Sequence, residues 1–328
     1  MNEHPPKVDY QSLQQAAEWF ARLTGQPDDP ALRQAWQQWH GQSDQHRLAW
    51  QYMERVSQRF APLHGDVDNA AQTLQTLHHN RMSRRQVIRG LGALSCLAAL
   101  GWAGWRPGLS QPLLAWQADL RTATGEIAEH VLADGSRLWL NSASALDIDF
   151  NDQQRHLRLY TGEVLVSTAA DPRPLRLHTR HGSLQPLGTR FSVQLQAGTT
   201  RLSVFEGKVR AHCVDSGREQ TVEAGHSLGF DGQHFTPLQV AQAQRQAWSQ
   251  GILLAEDIEL GQLIETLGQY RHGYLGVDPQ IAGLKVMGAY PLHDTDLALA
   301  MLERALPIRI QRTLPWWVNV RALGPRPD

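Results

Sequence analysis

The spacing of apolar positions changes character along this chain. Over residues 11–24, Leu13, Ala16, Ala17, Phe20 and Leu23 recur every three or four positions, which predicts an amphipathic helix. Pro27-Asp28-Asp29-Pro30 interrupts it; Asp29 suits an N-cap and Pro30 the first helical position. A second helix over 31–40 carries Leu32, Ala35, Trp36 and Trp39 and stops at Gly41. A third begins at Ser43 or Asp44 and lines up Leu48, Ala49, Tyr52, Met53, Val56 and Phe60. Residues 61–81 are polar and read as a linker or frayed helix. Gly90 to Trp105 then runs without a charge.

Beyond residue 109 the period falls to two. Segments 127–132 and 137–140 flank Asp134-Gly135, a strong hairpin signal, because Asp-Gly favours tight turns with positive φ. Further strands are predicted over 145–150, 156–160, 163–168, 175–179, 190–195, 202–205, 208–213, 220–223 and 227–230. Closely spaced strands with no helix between them predict an all-β sandwich or roll over 109–237. From 245 to 322 the pattern is mixed. A strand at 251–255 precedes a helix over 258–270, whose apolar face holds Leu260, Leu263, Ile264, Leu267 and Tyr270. Strands over 273–277 and 284–290 follow, then a helix capped by Asp294 or Thr295, then strands over 308–312 and 317–320. The order βαββαβ predicts a small split α+β sandwich. An open sheet edge can take a strand from a partner, though the module also makes sense as packing alone. Trp316 and Trp317 fit either a core or a docking surface.

Charge sharpens the picture in one place. Arg81, Arg84, Arg85 and Arg89 precede the uncharged run, and Arg106 follows it. Arginines gathered on one flank favour the cytoplasmic side of a bilayer. As a helix, Gly90 to Trp105 covers about 24 Å, against roughly 30 Å of hydrocarbon. Val87 and Ile88 extend it, and Arg89 can snorkel. The expected layout is therefore a cytoplasmic helical module (1–60), a linker (61–86), a transmembrane helix (87–105) and a periplasmic C-terminal part. The length also permits a buried core helix. Ser83-Arg84-Arg85, with Val87-Ile88-Arg89, is similar to a twin-arginine export signal, so Arg84 and Arg85 are the topology residues.

Composition excludes more than it selects. The 328 residues are 41% hydrophobic and 19% charged, which describes globular material. A net charge of -1 gives no electrostatic case for direct nucleic-acid binding. The two cysteines, Cys96 and Cys213, lie in and beyond the apolar run, so no intramolecular disulfide is expected. His130, His156, His178, His181, His212, His226 and His234 form no ligand motif, and no metal or cofactor is expected. There is no phosphate loop, nucleophile elbow or paired-carboxylate signature, and an enzyme of conventional kind is not expected. Glu163, Glu206 and Asp134 are read as turn carboxylates serving the backbone. The helical module is too small to bury much surface, yet it holds Trp19, Trp36, Trp39 and Trp50. Some must build its core; aromatics also anchor interfaces, so the module can complete its core on a partner.

These segments together resemble the FecR family of transmembrane iron-transport regulators. The resemblance rests on Leu132-Ala-Asp-Gly-Ser136, Leu138-Trp-Leu-Asn141, Ser144, Arg155, Tyr160-Thr-Gly-Glu163, Leu187-Gly-Thr-Arg-Phe191, Val193, Val204-Phe-Glu-Gly207, Val209 and Ala224-Gly225. The chain has Pro174-Leu175 and Pro186 where relatives commonly differ. The resemblance implies an anti-sigma factor: Trp19, Trp36, Trp39 and Trp50 would bind an extracytoplasmic-function sigma factor. Tyr270, Trp316 and Trp317 would contact a TonB-dependent outer-membrane siderophore receptor, through a tail like a secretin/TonB short domain. The competing expectation is a membrane-anchored periplasmic protein that binds a carbohydrate or other envelope ligand, with structural N-terminal helices.

Some relatives cut themselves at a Gly-Thr bond, which points to Gly188-Thr189. A threonine hydroxyl can attack the preceding carbonyl, forming an ester that water opens, if the hydroxyl is activated. His178 and His181 are candidate bases by proximity in sequence. The other reading is a glycine turn or bulge leading into the next strand, with Thr189 bonded locally.

Overall fold

The computed structural model describes residues 8–26, 29–60, 115 and 117–323. The linker, Arg84, Arg85, Cys96 and the candidate membrane-crossing run 87–105 lie outside them. Among the described residues, no helix is long and apolar enough to cross a membrane.

The predicted helices form as α1 (Tyr10–Gly25), α2 (Pro30–Gly41) and α3 (Asp44–Phe60). Asp9 caps α1 by accepting from the Ser12 amide at 2.8 Å. Asp29 caps α2 ahead of Pro30. Ala16, Ala17 and Ala49 are buried, and such small residues let helices approach closely enough for Met53 and Trp39 to fill the space between them.

The β module contains β1 (Leu120–Arg121), β2 (Ala128–Val131), β3 (Arg137–Leu140), β4 (Ala145–Phe150), β5 (Arg155–Thr161), β6 (Glu163–Ser167) and β7 (Leu175–Thr179). It continues with β8 (Gly182–Pro186), β9 (Arg190–Gln196), β10 (Thr199–Glu206), β11 (Lys208–Cys213), β12 (Glu219–Glu223), β13 (His226–Phe230) and β14 (Gln239–Val240). Two seven-stranded sheets result, ordered β1-β4-β5-β7-β8-β11-β12 and β14-β13-β10-β9-β6-β3-β2. Strand alternation sends Leu157, Leu177 and Leu184 of the first sheet and Phe191, Val193 and Val204 of the second into one core. Pairing is antiparallel except between β5 and β7. Strand β8 has a weak sequence signal, because only Leu184 is strongly apolar between Gly182 and Pro186. Gly182 is required there: a Cβ would collide with the His212 carbonyl oxygen. Pro186 sits in the strand register, opposite Val209, and not in a turn.

A 3-10 helix (Ala243–Gln250) leads into β15 (Ile252–Glu259), α4 (Leu260–Gly268), β16 (Tyr274–Val277), β17 (Lys285–Pro291), α5 (Thr295–Ala305), β18 (Ile308–Leu314) and β19 (Trp317–Ala322). The five strands and two helices expected here all form, so the order is βαββαββ, one strand more than a βαββαβ unit, divided between a β15–β17 ribbon and a β16-β19-β18 sheet. Asp294 caps α5, accepting from the Leu297 amide at 2.8 Å. The α+β core does not stop at this module. Leu165 of β6 belongs to it, and Trp139, Ile127 and Phe205 pack against it. The second sheet of the β module is thus buried on both faces where the modules meet.

Candidate functional site

Three places gather the residues singled out in the sequence. The first is aromatic. Trp39 and Trp50 are buried within the helical module, while Trp19 and Trp36 are half-buried. Trp36 and Trp50 have ring centroids 4.9 Å apart, and Trp19 and Trp39 6.3 Å. Trp39 donates to Gln15 Oε1 at 2.8 Å, and Trp50 to Glu54 Oε1 at 2.8 Å. Two of the four tryptophans therefore serve the core, and two keep a face toward other groups.

That face does not stand apart from the tail, as the sequence led us to expect. Helices α1 and α3 rest on the face of the β16-β19-β18 sheet that carries Trp317. Phe20 meets Trp316 edge-on at 5.9 Å, and Tyr52 meets Tyr274 at 6.3 Å. Tyr274 stacks on Trp317 at 4.0 Å, and Trp317 is 0% exposed. Glu18 lies 3.8 Å from Arg321. The contact is poorly matched in polarity. Trp317 Nε1 and both amide atoms of Asn319 are buried there without a hydrogen-bond partner.

The second place is the seam between the β and α+β modules. Tyr270 is turned into it and away from any outer docking surface: its hydroxyl donates to Asn141 Oδ1 at 2.6 Å. Asn141 Nδ2 donates to Glu163 Oε2 at 3.0 Å, and Trp248 Nε1 to Glu163 Oε1 at 3.2 Å. Ser142 Oγ donates to the Gln269 carbonyl at 2.6 Å. Glu163 is thus a half-buried joint between modules, not a turn carboxylate. Burial raises its pKa, against the pull of the Asn141 hydrogen bond, Arg245 and Trp248. Burial, then the nearby Glu163, raises the Tyr270 hydroxyl well above the usual phenol range. A cavity of about 390 Å³ opens beside the seam, with Arg201, Arg245, Gln194 and Trp248 among its walls.

The third place is Gly188-Thr189, between β8 and β9. Gly188 is exposed and has φ +70°, a left-handed conformation that suits glycine. Gly207 closes on it, and a Cβ there would strike the Gly188 carbonyl oxygen. Thr189 is 5% exposed, and its Oγ1 is buried with no hydrogen-bond partner. Its backbone is pinned by Thr168. The Thr189 amide donates to Thr168 Oγ1 at 2.8 Å, and the Thr168 amide donates to the Thr189 carbonyl at 3.0 Å. The expected helper histidines are engaged elsewhere. His181 Nδ1 lies 2.9 Å from Thr200 Oγ1. His178 packs on His156, with centroids 4.9 Å apart; burial, then that neighbour, lowers its pKa. Thr168 escaped the sequence reading because the β6–β9 register, which pairs Ser167 with Arg190, sets its position. Among the described residues, no group of three or more His, Cys, Asp or Glu side chains could hold a metal ion.

A helical module, a two-sheet β module and an α+β module joined by a shared core define a multidomain protein built around interfaces. Residues 118–210 match the family model described as FecR protein, and residues 14–56 match one described as a domain of unknown function (DUF4880). Residues 118–210 are thus similar to a FecR domain, and residues 14–56 to the DUF4880 domain. No curated protein matches the chain. Two crystal structures of a "putative anti-sigma factor from Parabacteroides distasonis ATCC 8503" are similar in fold, each at 18% identity with a TM-score of 0.50. The matches cover 62% and 61% of this chain and 98% and 97% of those chains.

Proposed function

We propose that the chain is a single-pass inner-membrane signal transducer that binds and regulates an extracytoplasmic-function sigma factor. The observation that carries this is the tandem of a helical module matching residues 14–56 and a FecR domain matching 118–210. The fold shared with crystal structures described as a "putative anti-sigma factor" supports it. Helices α1–α3 are the sigma-binding element, with Trp19 and Trp36 offering the half-buried aromatic face and Trp39 and Trp50 holding it in shape. The β and α+β modules lie in the periplasm and take their input from a TonB-dependent outer-membrane siderophore receptor.

Residues 87–105 cross the membrane in this reading. The helices and the β16-β19-β18 sheet then face different compartments, so the contact described above is one that the membrane-spanning chain does not make. The unpaired atoms of Trp317 and Asn319 support a face that exchanges its cover, since permanently buried polar groups are paired. Trp316 and Trp317 are then available to the receptor. We also propose that the chain cuts itself between Gly188 and Thr189; the left-handed glycine and the unpartnered buried hydroxyl support this.

Reporter fusions test the topology. A reporter active only outside the cytoplasm should work when fused after Trp116 and fail when fused before Met82. Equal activity at both positions would overturn the membrane reading.

A further inference from the structure

We infer that Thr168 is the positioning residue for cleavage at Gly188-Thr189, holding the nitrogen that must leave. The inference rests on the self-cleavage reading above. In that reaction Thr189 Oγ attacks the Gly188 carbonyl carbon. A carbon–oxygen bond forms, and the carbon–nitrogen bond to Thr189 breaks. The hydroxyl proton ends on the departing nitrogen, which becomes a free amine. Water then hydrolyses the ester, leaving a Gly188 carboxylate and restoring the Thr189 hydroxyl. Atoms balance with water as the one co-reactant.

The geometry meets three of its requirements. The nucleophile has no hydrogen-bond partner to give up, because Thr189 Oγ1 is buried and unpaired. Gly188 is exposed, so water can reach the ester carbon. The Thr189 amide nitrogen directs its one proton at Thr168 Oγ1, 2.8 Å away. The same hydroxyl donates to the Thr189 carbonyl at 3.2 Å, and the Thr168 amide donates to that carbonyl at 3.0 Å. Residue 168 therefore fixes the backbone of residue 189 at both its nitrogen and its carbonyl. The side chain of Thr189 is left as the part that turns toward Gly188. A hydroxyl is both donor and acceptor, so Thr168 can stay bonded to the nitrogen as it changes from planar amide to amine. Neither His178 nor His181 is hydrogen-bonded to Thr189; their contacts are with His156 and Thr200.

The test uses the full-length protein with a tag at each end, following the fraction cut over time with and without hydroxylamine, which opens esters. Wild type should be cut, and Thr189→Ala uncut. Thr168→Val keeps the branched shape and removes the hydroxyl; it should slow cutting by about ten-fold or more, the rate equivalent of one lost hydrogen bond. Thr168→Ser should restore the rate to within about three-fold. Should the valine variant not fold, Thr168→Cys repeats the comparison, because a thiol is only a weak acceptor. A cut wild type with Thr168→Val cut equally fast overturns this inference alone, as does equal slowing by valine and serine. An uncut wild type, with hydroxylamine present, overturns the cleavage reading and this inference with it.

Discussion

Asp134 shows how one residue can be half legible. Asp134-Gly135 marks a turn, and Asp134 does serve the backbone there, accepting from the Ser136 amide at 3.0 Å. Its second partner, Arg155, arrives from another strand and forms a buried ion pair with it. Burial opposes the charge on Asp134, yet hydrogen bonds from Ser136 and Arg155 keep its pKa below the ordinary value. Arg155 Nε and Nη2 also donate to the Arg173 carbonyl, at 3.0 and 2.8 Å. The pair pins the β2–β3 hairpin to the start of β5. Arg155→Met should therefore destabilise the β module by about 3–5 kcal/mol, because it strands a buried carboxylate. Urea unfolding checks this; a loss under about 1 kcal/mol would place the pair among weak surface bridges. Glu163 was less legible still. Thr161-Gly162 looks like a turn, and nothing nearby in sequence announces that Trp248 lies above it.

At the scale of elements, strict alternation and the Asp134-Gly135 hairpin were readable, and pairing between strands distant in sequence was not. Segments 145–150, 175–179 and 208–213 coincide with β4, β7 and β11. Strand β8 is framed by Gly182 and Pro186 and hides its character. The parallel β5–β7 pairing and the order of the two sheets depend on tertiary contacts that no local pattern encodes. The seam was invisible for the same reason: the outward residues Leu165 and Trp139 look like ordinary strand residues until α4 and the 3-10 helix cover them. The seam has its own test. Tyr270→Phe removes the hydrogen bond to Asn141 and should cost about 1–1.5 kcal/mol. Hydrogen exchange should quicken in α4 and the 3-10 helix, while the core strands β9 and β10 stay protected. Equal quickening in both places would mean that the two modules open as one.

At the scale of the molecule, the joined β and α+β modules form a continuous body, while α1–α3 touch it through a face with unpaired polar atoms. That difference in interface quality is why the helices are read as a separable output element. The shared core suits a receiver that moves as a unit, and Arg190, the residue after Thr189, ties the proposed cleavage site to it by donating to Gln246 Oε1 at 2.8 Å. The sequence patterns marked out each module; the FecR match lies at residues 118–210 and the DUF4880 match at residues 14–56.

Regulation of a sigma factor by the helical module requires that the two bind, and co-purification reads that binding. Tagged full-length protein, drawn from its own cells under mild detergent, should bring down an extracytoplasmic-function sigma factor. Trp36→Ala should reduce the recovered amount by about ten-fold or more, as expected for the loss of an aromatic anchor. Wild-type protein that recovers no sigma factor, at expression levels where both are present, would contradict the account.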